Sequence, residues 1–420
     1  MELIRNILQA LLPRALYRAL LAPYHYLLSL SAAWSAGFPA RRITVVAVTG
    51  TKGKSSVTEM LARILEKAGK KVATSSTIRF SIAGQEERNL YKMTLPGRGF
   101  IQTFLRRAVD ASCDVAVIEV TSEAALQSRH LFLSLDMLVF TNLQKEHLES
   151  HGGMENYFKA KYRIGTELAR SKKRPRAIVA NADDEYGRRF LELPVEERIP
   201  FSLSDADDIR PKGTGTAFRT GGVSVELPQP GTMNVMNALA AMKAAKAMGV
   251  PYETSAEALG ELIRIPGRVE RIERGQDFVA VVDYAHTPDS LSALYGAFPG
   301  RKICVLGNTG GGRDLWKRPL MGKIADEACT QVILTDEDPY DEDPQQIVDQ
   351  MAAEMARTPK IILDRRDAIR TALTLAQPND VVLISGKGTD PYIMRAHGEK
   401  EGWSDAQVVA EELDKLLGKA

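Results

Sequence analysis

Residues 47–56 read Ala-Val-Thr-Gly-Thr-Lys-Gly-Lys-Ser-Ser and follow a β-branched run from Ile43 to Val48. A helical pattern begins directly after them, so the stretch predicts a strand, a glycine-rich turn and a helix N-terminus. Backbone N–H groups and the helix dipole at such a turn face phosphate groups. The lysine at the helix start neutralises phosphate charge, and the serine after it is suited to holding Mg²⁺. The predicted ATP site consists of Gly50, Thr51, Lys52, Gly53, Lys54, Ser55 and Ser56.

Apolar strand patterns alternate with helical patterns after this turn, which is typical of an α/β fold with a mainly parallel sheet. The strands are predicted at 43–48, 71–75, 115–120, 136–141 and 176–180, and the helices at 55–69, 98–110, 122–129 and 154–171. After a break at Ile265-Pro266-Gly267, a second alternation predicts a Rossmann-like α/β domain. We therefore predict a short helical N-terminal segment (1–42), a central ATP-binding P-loop domain (43–266) and a C-terminal domain (267–420).

The composition limits the possible functions. Of the 420 residues, 44% are hydrophobic and 26% charged, which suits two or three globular domains. The net charge of +2 gives no sign of a nucleic-acid-binding surface. The three cysteines, Cys113, Cys304 and Cys329, are far apart and show no metal-binding spacing. We therefore expect reduced thiols and a cytoplasmic protein, and we expect a monomer.

The N-terminal segment is rich in Leu, Ala and Tyr with interspersed arginines. No apolar stretch in it reaches the ~20 residues of a membrane span, and no secretory cleavage site is recognisable. Pro13 and Pro23 predict breaks, so we expect two short amphipathic helices packed on the rest of the protein. The alternative is peripheral attachment to a membrane through a basic amphipathic helix.

Polar residues at strand ends of the central domain indicate a metal site. Glu119 closes a predicted strand in the domain of the phosphate loop, where a Mg²⁺ ligand or a water-activating carboxylate is expected. His147 follows the next strand and is a second candidate ligand, although a single loop histidine is more often structural. Tyr157 and Lys161 share a helix face, and the pattern alone does not separate Lys161 from the neighbouring Lys159.

The C-terminal domain adds candidates at the end of its first strand. Asp283, Tyr284 and His286 end this strand, and Thr287 and Pro288 fit the N-cap and first turn of a helix. Because ligands of open α/β sheets bind at the carboxyl ends of strands, these side chains are predicted to contact the nucleotide.

Two arginines near these strands are further candidates. Arg268 follows the domain break and is either a phosphate contact or an exposed linker charge. Arg313 follows three glycines at 310–312, so it is a cation on a flexible loop. If these arginines contact the nucleotide from the second domain, the two domains must close around it before catalysis.

The motifs together resemble the Mur ligases of peptidoglycan assembly, and among them the MurE type, which adds the third peptide residue. The short form Gly50-Thr51-Lys52-Gly53-Lys54-Ser55 resembles the phosphate loop of that family. The other motifs follow in the family's order: Thr94-x-Pro96, Glu119-Val120-Thr121-Ser122, Gln127-x-Arg129, Thr141 to His147, His151-Gly152, Asn181 to Asp184, Asn234-x-x-Asn237, Pro266-Gly267-Arg268-x-Glu270, Asp283 to Asp289, Arg313-Asp314, Lys317 to Met321, Asp364-Arg365-Arg366 and Gly386-Lys387-Gly388.

This resemblance implies an ATP-dependent ligase that uses Mg²⁺, with two ions expected. An acceptor carboxylate attacks the γ-phosphate, and an amino acid then displaces phosphate from the acyl-phosphate. The resemblance implies catalysis or metal binding by Lys54, Ser55, Glu119, His147 and Lys161, ATP contacts by Asn234, Asn237, Arg268, Asp283, Tyr284 and His286, and substrate contacts by Thr94, Thr121, Gln127, Arg129, Arg313, Asp336, Asp338, Pro339, Tyr340, Gly386 and Asp390. Lys161 takes the position of a family lysine that becomes carbamylated and helps to hold the second Mg²⁺.

Three departures from the family pattern bear on the substrate. Residues 1–42 are too short for the family's UDP-binding N-terminal domain. Either the UDP group of a nucleotide-sugar-peptide acceptor is held weakly, or the acceptor is a peptide with no UDP in that place. Glu123 stands in place of a usual histidine, and Lys145-Glu146 in place of Arg-Asp. Residues 336–340, Asp-Glu-Asp-Pro-Tyr, replace an Asp-Asn-Pro-Arg motif whose arginine pairs with the extra carboxylate of diaminopimelate. The acidic cluster favours lysine as the added amino acid, with a solvated acidic loop as the alternative.

Two other functions fit parts of the sequence. One is a folylpolyglutamate-synthase-like ligase or another γ-glutamyl ligase, and the motifs at 283–289 and 313–321 favour the MurE type over it. The other is a nucleotide-binding partner subunit without catalysis. Retention of the residues predicted to be catalytic, Lys54, Glu119, His147 and Lys161, argues against it.

Overall fold

The computed structural model describes residues 14–146, 151–262, 264–312 and 314–419, and the side chains of all of these except 14–19 and Arg98. The chain folds into two compact units. The first comprises Met1–Gln144, Met154–Phe201 and Ala240–Val250, and the second comprises Lys145–Gly153, Ser202–Leu239 and Pro251–Ala420. The predicted α/β class is confirmed, and the domain boundaries after residues 42 and 266 stay predictions.

The first unit is built on an eight-stranded, mostly parallel sheet. Its strands are β1 (Thr44–Thr49), β2 (Val72–Ser75), β3 (Arg79–Ile82), β4 (Gln85–Arg88), β5 (Val115–Glu119), β6 (Met137–Phe140), β7 (Ala177–Asn181) and β8 (Glu197–Phe201), in the order β4-β3-β2-β5-β1-β6-β7-β8. Its helices are α1 (Arg14–Ser35), α2 (Lys54–Lys67), α3 (Arg98–Asp110), α4 (Ser122–Leu126), α5 (Met154–Arg170) and α6 (Glu185–Phe190). Val48 of β1 lies opposite Glu119 of β5 and Val139 of β6, all in parallel. The loops after these three central strands therefore leave the sheet at one edge.

The second unit begins with a three-stranded antiparallel sheet. This sheet consists of β9 (Asp207–Lys212), β10 (Gly215–Thr220) and β11 (Val223–Leu227). It is followed by α7 (Thr232–Ala247), whose residues from Ala240 on belong to the first unit, and by α8 (Tyr252–Gly260).

A six-stranded, mostly parallel sheet forms the body of the second unit. Its strands are β12 (Glu270–Arg271), β13 (Val279–Asp283), β14 (Lys302–Leu306), β15 (Gln331–Leu334), β16 (Lys360–Ile361) and β17 (Val381–Ser385), in the order β12-β13-β17-β14-β15-β16. Its helices are α9 (Pro288–Gly296), α10 (Lys317–Ala328), α11 (Pro344–Ala352), α12 (Arg365–Leu375) and α13 (Asp405–Leu416), and a small hairpin is formed by β18 (Tyr392–Met394) and β19 (Lys400–Gly402). Successive residues of a strand face opposite sides, so Val281 and Leu383 pack with α9 to α11 while Val282 and Ile384 pack with α12 and α13.

The N-terminal segment differs from its prediction. A single helix, α1, runs through Pro23, where a break was predicted; Pro13 lies outside the described residues. Proline removes one backbone hydrogen bond, and packing on the first unit offsets this loss. Ala33 is fully buried, and the Ser29 hydroxyl donates to the Ser128 carbonyl oxygen at 2.8 Å. No helix in the described part of the chain is long and apolar enough to cross a membrane.

The prediction of reduced thiols is wrong for two of the cysteines. Cys304 of β14 and Cys329, which follows α10, form a disulfide with their Cα atoms 6.2 Å apart. Their proximity arises because β15 starts just after Cys329 and pairs with β14. The two cysteines are 25 residues apart in the sequence, and this spacing does not reveal that they are in contact. Cys113 is a free, buried thiol.

Candidate functional site

The loop between β1 and α2 is held by the end of the neighbouring strand β6. The N–H groups of Thr51 and Lys52 donate to the backbone oxygen (2.8 Å) and side-chain oxygen (2.9 Å) of Asn142. The Thr141 hydroxyl donates to the Lys52 carbonyl oxygen at 2.6 Å. Gly50 has a φ of 151°, and a Cβ there would clash with the Thr141 hydroxyl oxygen. Glycine is therefore required where the predicted phosphate loop leaves the strand.

Two lysines from different helices converge on the Gly50 carbonyl oxygen. Lys54, the first residue of α2, donates to it at 3.2 Å and to the Thr51 carbonyl oxygen at 3.0 Å. Lys161 of α5 donates to the Gly50 oxygen at 2.7 Å and is only 1% exposed. The Lys161 ammonium also lies 4.7 Å from the centre of the Tyr157 ring, a cation–π distance. The structure thus brings Lys54 and Lys161 together at the turn.

Glu119 lies buried at the carboxyl end of β5 and accepts hydrogen bonds at both oxygens. The Ser55 hydroxyl donates to Oε2 at 3.1 Å, and the Thr77 N–H donates to the same oxygen at 2.7 Å. The Thr77 hydroxyl donates to Oε1 at 3.3 Å. These donors fix the orientation of the carboxylate beside the phosphate loop.

The side chains around Glu119 fit a divalent cation. Ser55 and Glu119 offer the hydroxyl and carboxylate oxygens that Mg²⁺ prefers. Among the described residues, no group of three or more His, Cys, Asp or Glu side chains forms a metal site. His147, the other predicted ligand, lies outside the described residues.

Thr77 connects Glu119 to the loop that is predicted to bind the acceptor. The hydroxyl oxygens of Thr77 and Thr94 are 2.8 Å apart, and Thr77 contacts Glu119 with both its backbone and its side chain. Sequence reasoning missed Thr77. Its position in the chain could have indicated it, because Thr77 follows β2, and β2 pairs with the strand β5 that ends at Glu119.

Arg129 organises the other side of the acceptor loop. Its guanidinium donates to the Leu95 carbonyl oxygen at 2.5 Å and to the Gln127 side-chain oxygen at 2.6 Å. Burial lowers the pKa of Arg129. Thr121 caps α4 by accepting the Ala124 N–H at 3.2 Å. Arg129 and Gln127 are thus brought together at this loop.

In the second unit, Asp283, Tyr284 and His286 lie together at the carboxyl end of β13. The Asp283 carboxylate accepts two backbone N–H groups at 2.7 Å each. One ring nitrogen of His286 lies 2.7 Å from the Tyr284 carbonyl oxygen, and the other lies 3.0 Å from the Glu146 carboxylate. This end of β13 is therefore a tightly bonded polar cluster.

Arg268 and Asp390 complete this cluster. The Arg268 guanidinium carbon lies 4.6 Å from the centre of the Tyr284 ring. The negative charge of Asp390, with burial, raises the pKa of Tyr284 well above its usual value. Asp390 follows β17, which pairs with β13 so that Asp283 lies opposite Ser385. By contrast, the predicted ATP contacts Asn234 and Asn237 lie on α7 and bond to each other at 3.4 Å.

Lys387 organises the predicted amino-acid site and is fully buried. Its ammonium pairs with Asp338 at 2.9 Å and Asp390 at 3.5 Å, and donates to the Tyr392 carbonyl oxygen at 2.6 Å. Gly386 has a φ of 108°, which favours glycine, and a Cβ there would displace the Glu337 carboxylate. One oxygen of that buried carboxylate has no hydrogen-bond partner in the structure.

Pro339 and Tyr340 line an open pocket of about 650 Å³. Its charged lining consists of Glu342, Glu399, Glu401 and Arg395. Arg395 is paired with Asp336 and, at 2.6 Å, with Glu401. Sequence reasoning missed Arg395, because it belongs to the β18–β19 hairpin, which the apolar pattern did not predict. Arg313, a predicted substrate contact, lies outside the described residues.

The chain matches two family domains. Residues 48–245 match the Mur ligase middle domain, and residues 267–388 match the Mur ligase glutamate ligase domain. A UDP-N-acetylmuramoyl-L-alanyl-D-glutamate–2,6-diaminopimelate ligase of Trichormus variabilis is 39% identical over 375 residues, covering 85% of this chain and 74% of that protein. A UDP-N-acetylmuramyl-tripeptide synthetase of Roseiflexus sp. is 38% identical over 388 residues, covering 85% and 76%.

Solved structures show the same relationship. A UDP-N-acetylmuramoyl-L-alanyl-D-glutamate–2,6-diaminopimelate ligase superposes with a TM-score of 0.61 at 29% identity, covering 89% of this chain and 79% of that one. Mycobacterium tuberculosis folylpolyglutamate synthase superposes with a TM-score of 0.72 over 96% and 99%. Its identity of 16% shows a shared fold alone. The chain therefore belongs to the Mur ligase family and is an ATP-dependent amino-acid ligase of the MurE type.

Proposed function

We propose that this enzyme adds an amino acid, lysine in preference to diaminopimelate, to the carboxylate of a muramyl-dipeptide acceptor. The observation that carries the ligase assignment is the meeting of Lys54, Lys161 and the Ser55–Glu119 pair around one loop. Phosphoryl transfer depends on positioning and charge neutralisation, and this arrangement supplies both. The relatives whose names specify muramyl-peptide substrates support the acceptor.

The chemistry divides into two displacements. An acceptor carboxylate oxygen attacks the γ-phosphorus as the bond to ADP breaks, and the amine then attacks the acyl carbon as phosphate leaves. Lys54, released from the loop carbonyls, would neutralise phosphate charge. Thr77 would hold the Thr94 loop at a fixed position relative to Glu119. Ser55 and Glu119 would hold Mg²⁺, which would supply further neutralisation of phosphate charge.

We also propose that Lys161 is carbamylated in the working enzyme. The ammonium would first lose a proton, and the resulting amine would combine with CO₂ and lose a second proton. The product is a carbamate, whose oxygens are suited to Mg²⁺. Burial favours loss of the ammonium charge, because removing a charged amine from water carries a desolvation cost. His147 would be the remaining protein ligand.

The lysine preference rests on the charge of the pocket beside Tyr340. Three carboxylates line it against a single arginine. That arginine is held by Asp336 and Glu401, and Glu342 is paired with Arg318 at 2.9 Å, so the negative charge of the lining is partly offset. A second amino group is attracted to such a lining, whereas the extra carboxylate of diaminopimelate is repelled. Two relatives are named as diaminopimelate ligases, so the preference for lysine is the part of the proposal that most needs a test.

An amino-acid screen tests the proposal. Phosphate release from ATP would be measured with UDP-MurNAc-dipeptide or a simpler γ-glutamyl acceptor, and with lysine or diaminopimelate. We expect lysine to give a kcat/KM at least ~10-fold above that of diaminopimelate, equivalent to ~1.4 kcal/mol. Tyr340→Arg should shift the preference toward diaminopimelate by adding a carboxylate partner, and Tyr340→Phe should leave it unchanged.

The outcomes separate the two parts of the proposal. A wild-type preference for diaminopimelate would contradict the lysine assignment and leave the ligase assignment standing. Absence of amino-acid-dependent phosphate release with every acceptor would contradict both.

A further inference from the structure

The outward face of α1 is apolar along most of its described length. Leu20, Tyr24, Leu27 and Trp34 are spaced four, three and seven residues apart, which places them on one side of the helix. Leu27 is 62% exposed and Trp34 is 74% exposed. Single exposed apolar residues are ordinary, but four on one side of a helix, interrupted by the exposed Ser31, are typical of a binding surface.

The opposite face of the helix is used for packing on the first unit. Ser29 and Ala33 are buried, and the Ser29 hydroxyl holds the Ser128 carbonyl oxygen. The rings of Tyr26 and Phe132 lie 5.6 Å apart. Because α1 is anchored in this way, its apolar stripe faces outward from the described part of the first unit.

The charge around the stripe indicates what covers it. Residues 14–43 contain four arginines and no aspartate or glutamate, although the whole chain has 53 acidic residues among 420. Arg41 and Arg42, just after the helix, are exposed. A segment with this charge is attracted to an anionic surface. Tyrosine and tryptophan side chains prefer the interface between water and lipid.

We propose that α1 lies on the surface of an anionic lipid bilayer, with the stripe of Leu20, Tyr24, Leu27 and Trp34 inserted among the headgroups. Arg41 and Arg42 would pair with lipid phosphates. A second copy of the chain is a poorer partner, because it would bring further arginines and no acidic residue from this segment to the contact.

Vesicle sedimentation with the full chain tests this proposal. We expect the protein to bind phosphatidylcholine vesicles only when they contain phosphatidylglycerol, and to bind less at high salt. The triple variant Tyr24→Ser, Leu27→Ser, Trp34→Ser should lower the partition coefficient at least ~10-fold. The matched control is Leu416→Ser, which changes an apolar residue that is 46% exposed on α13 and should bind as the wild type does.

Two further measurements keep the test independent of misfolding. Arg41→Gln, Arg42→Gln retains the stripe and should also weaken binding ~10-fold or more. Brominated lipid should quench wild-type tryptophan fluorescence, and Trp34→Phe should remove that quenching. Failure to bind phosphatidylglycerol vesicles would overturn the proposal, as would a dimer that the triple variant dissociates without any vesicle binding. Phosphate release in solution, assayed separately, distinguishes this failure from failure of the ligase assignment.

Discussion

Lys54 and Lys161 share the Gly50 carbonyl oxygen as a hydrogen-bond acceptor. Two ammonium groups around one neutral oxygen repel each other and create a positive potential at the turn. A phosphate group placed there would be stabilised by the Lys54 ammonium, and carbamylation of Lys161 would remove the repulsion between the two side chains. The sequence predicts Lys54 from its motif, but the contact with Lys161, more than a hundred residues away, depends on how α5 packs.

Lys54→Ala is expected to lower ATP turnover ~100-fold or more, because the variant loses a cation at the transferring phosphate. Phosphate release measures the effect, and circular dichroism should show an unchanged fold. Lys67→Ala, in the last turn of the same helix, is the control and should retain full activity. Unchanged turnover in Lys54→Ala would rule out this loop as the phosphate site.

Lys161→Ala is expected to abolish activity, whereas Lys159→Ala, at an exposed position of the same helix, should leave it intact. Wild-type activity should fall when CO₂ is removed and return with bicarbonate, because the carbamate forms reversibly. A ¹³C carbamate resonance from labelled bicarbonate, absent in Lys161→Ala, would identify the modified lysine directly. Full activity of Lys161→Ala would contradict the proposed carbamate.

At the scale of secondary structure, the buried elements are the predictable ones. Strands β1 and β5 are apolar runs bordered by turn residues, and the structure places them within a residue of the predicted bounds. The exposed strand β4 reads Gln-Glu-Glu-Arg, which has no apolar side to indicate a strand. The hairpin of β18 and β19 is short and partly exposed, so its sequence also lacks an apolar pattern that would predict a strand. α1 passes through Pro23 because tertiary packing outweighs a local breaker.

The end of β13 depends on Asp283, whose carboxylate binds the N–H groups of Val269 and Ala285. Asp283→Asn replaces one acceptor oxygen with a donor, so one buried N–H group loses its partner. We expect a loss of ~1–3 kcal/mol in the free energy of unfolding, measured by urea denaturation. Asp289→Asn, at an exposed position of α9, should change it little. Equal stability of both variants would show that Asp283 does not anchor this strand.

At the scale of the whole molecule, two α/β units and the family follow from the order of the motifs along the chain. Motif order does not predict that residues 202–239 belong to the second unit. It also does not predict the disulfide between Cys304 and Cys329. Both arise from contacts between distant parts of the sequence, which a pattern of local periodicity does not encode. Local periodicity also does not predict the contacts of Thr77 and Arg395, because these depend on how neighbouring strands pair.

Protein stability is expected to fall in mild acid through His130. This histidine is buried, and burial together with the charge of Arg163 lowers its pKa to about 4. The unfolded chain therefore binds the proton first, and the stabilising contribution, complete above pH ~6.5, is lost as the pH falls toward 4.

The expected loss from His130 is ~2 kcal/mol between pH 7.5 and pH 5. Thermal melts should show that His130→Leu reduces the pH dependence by that amount. His397→Leu, which changes a histidine that is 98% exposed, should not. Parallel pH curves for wild type and His130→Leu would contradict this origin of the acid sensitivity.

Transfer of oxygen from the acceptor to phosphate tests the proposed reaction most directly. The acceptor carboxylate would be labelled with ¹⁸O, and the phosphate released with ATP and lysine would be analysed by mass spectrometry. We expect one ¹⁸O atom in each released phosphate, because the attacking carboxylate oxygen leaves with the phosphoryl group when the amine displaces it. Unlabelled phosphate formed alongside the amide product would show that the carboxylate never attacks the phosphate held by Lys54, and would contradict the proposed mechanism.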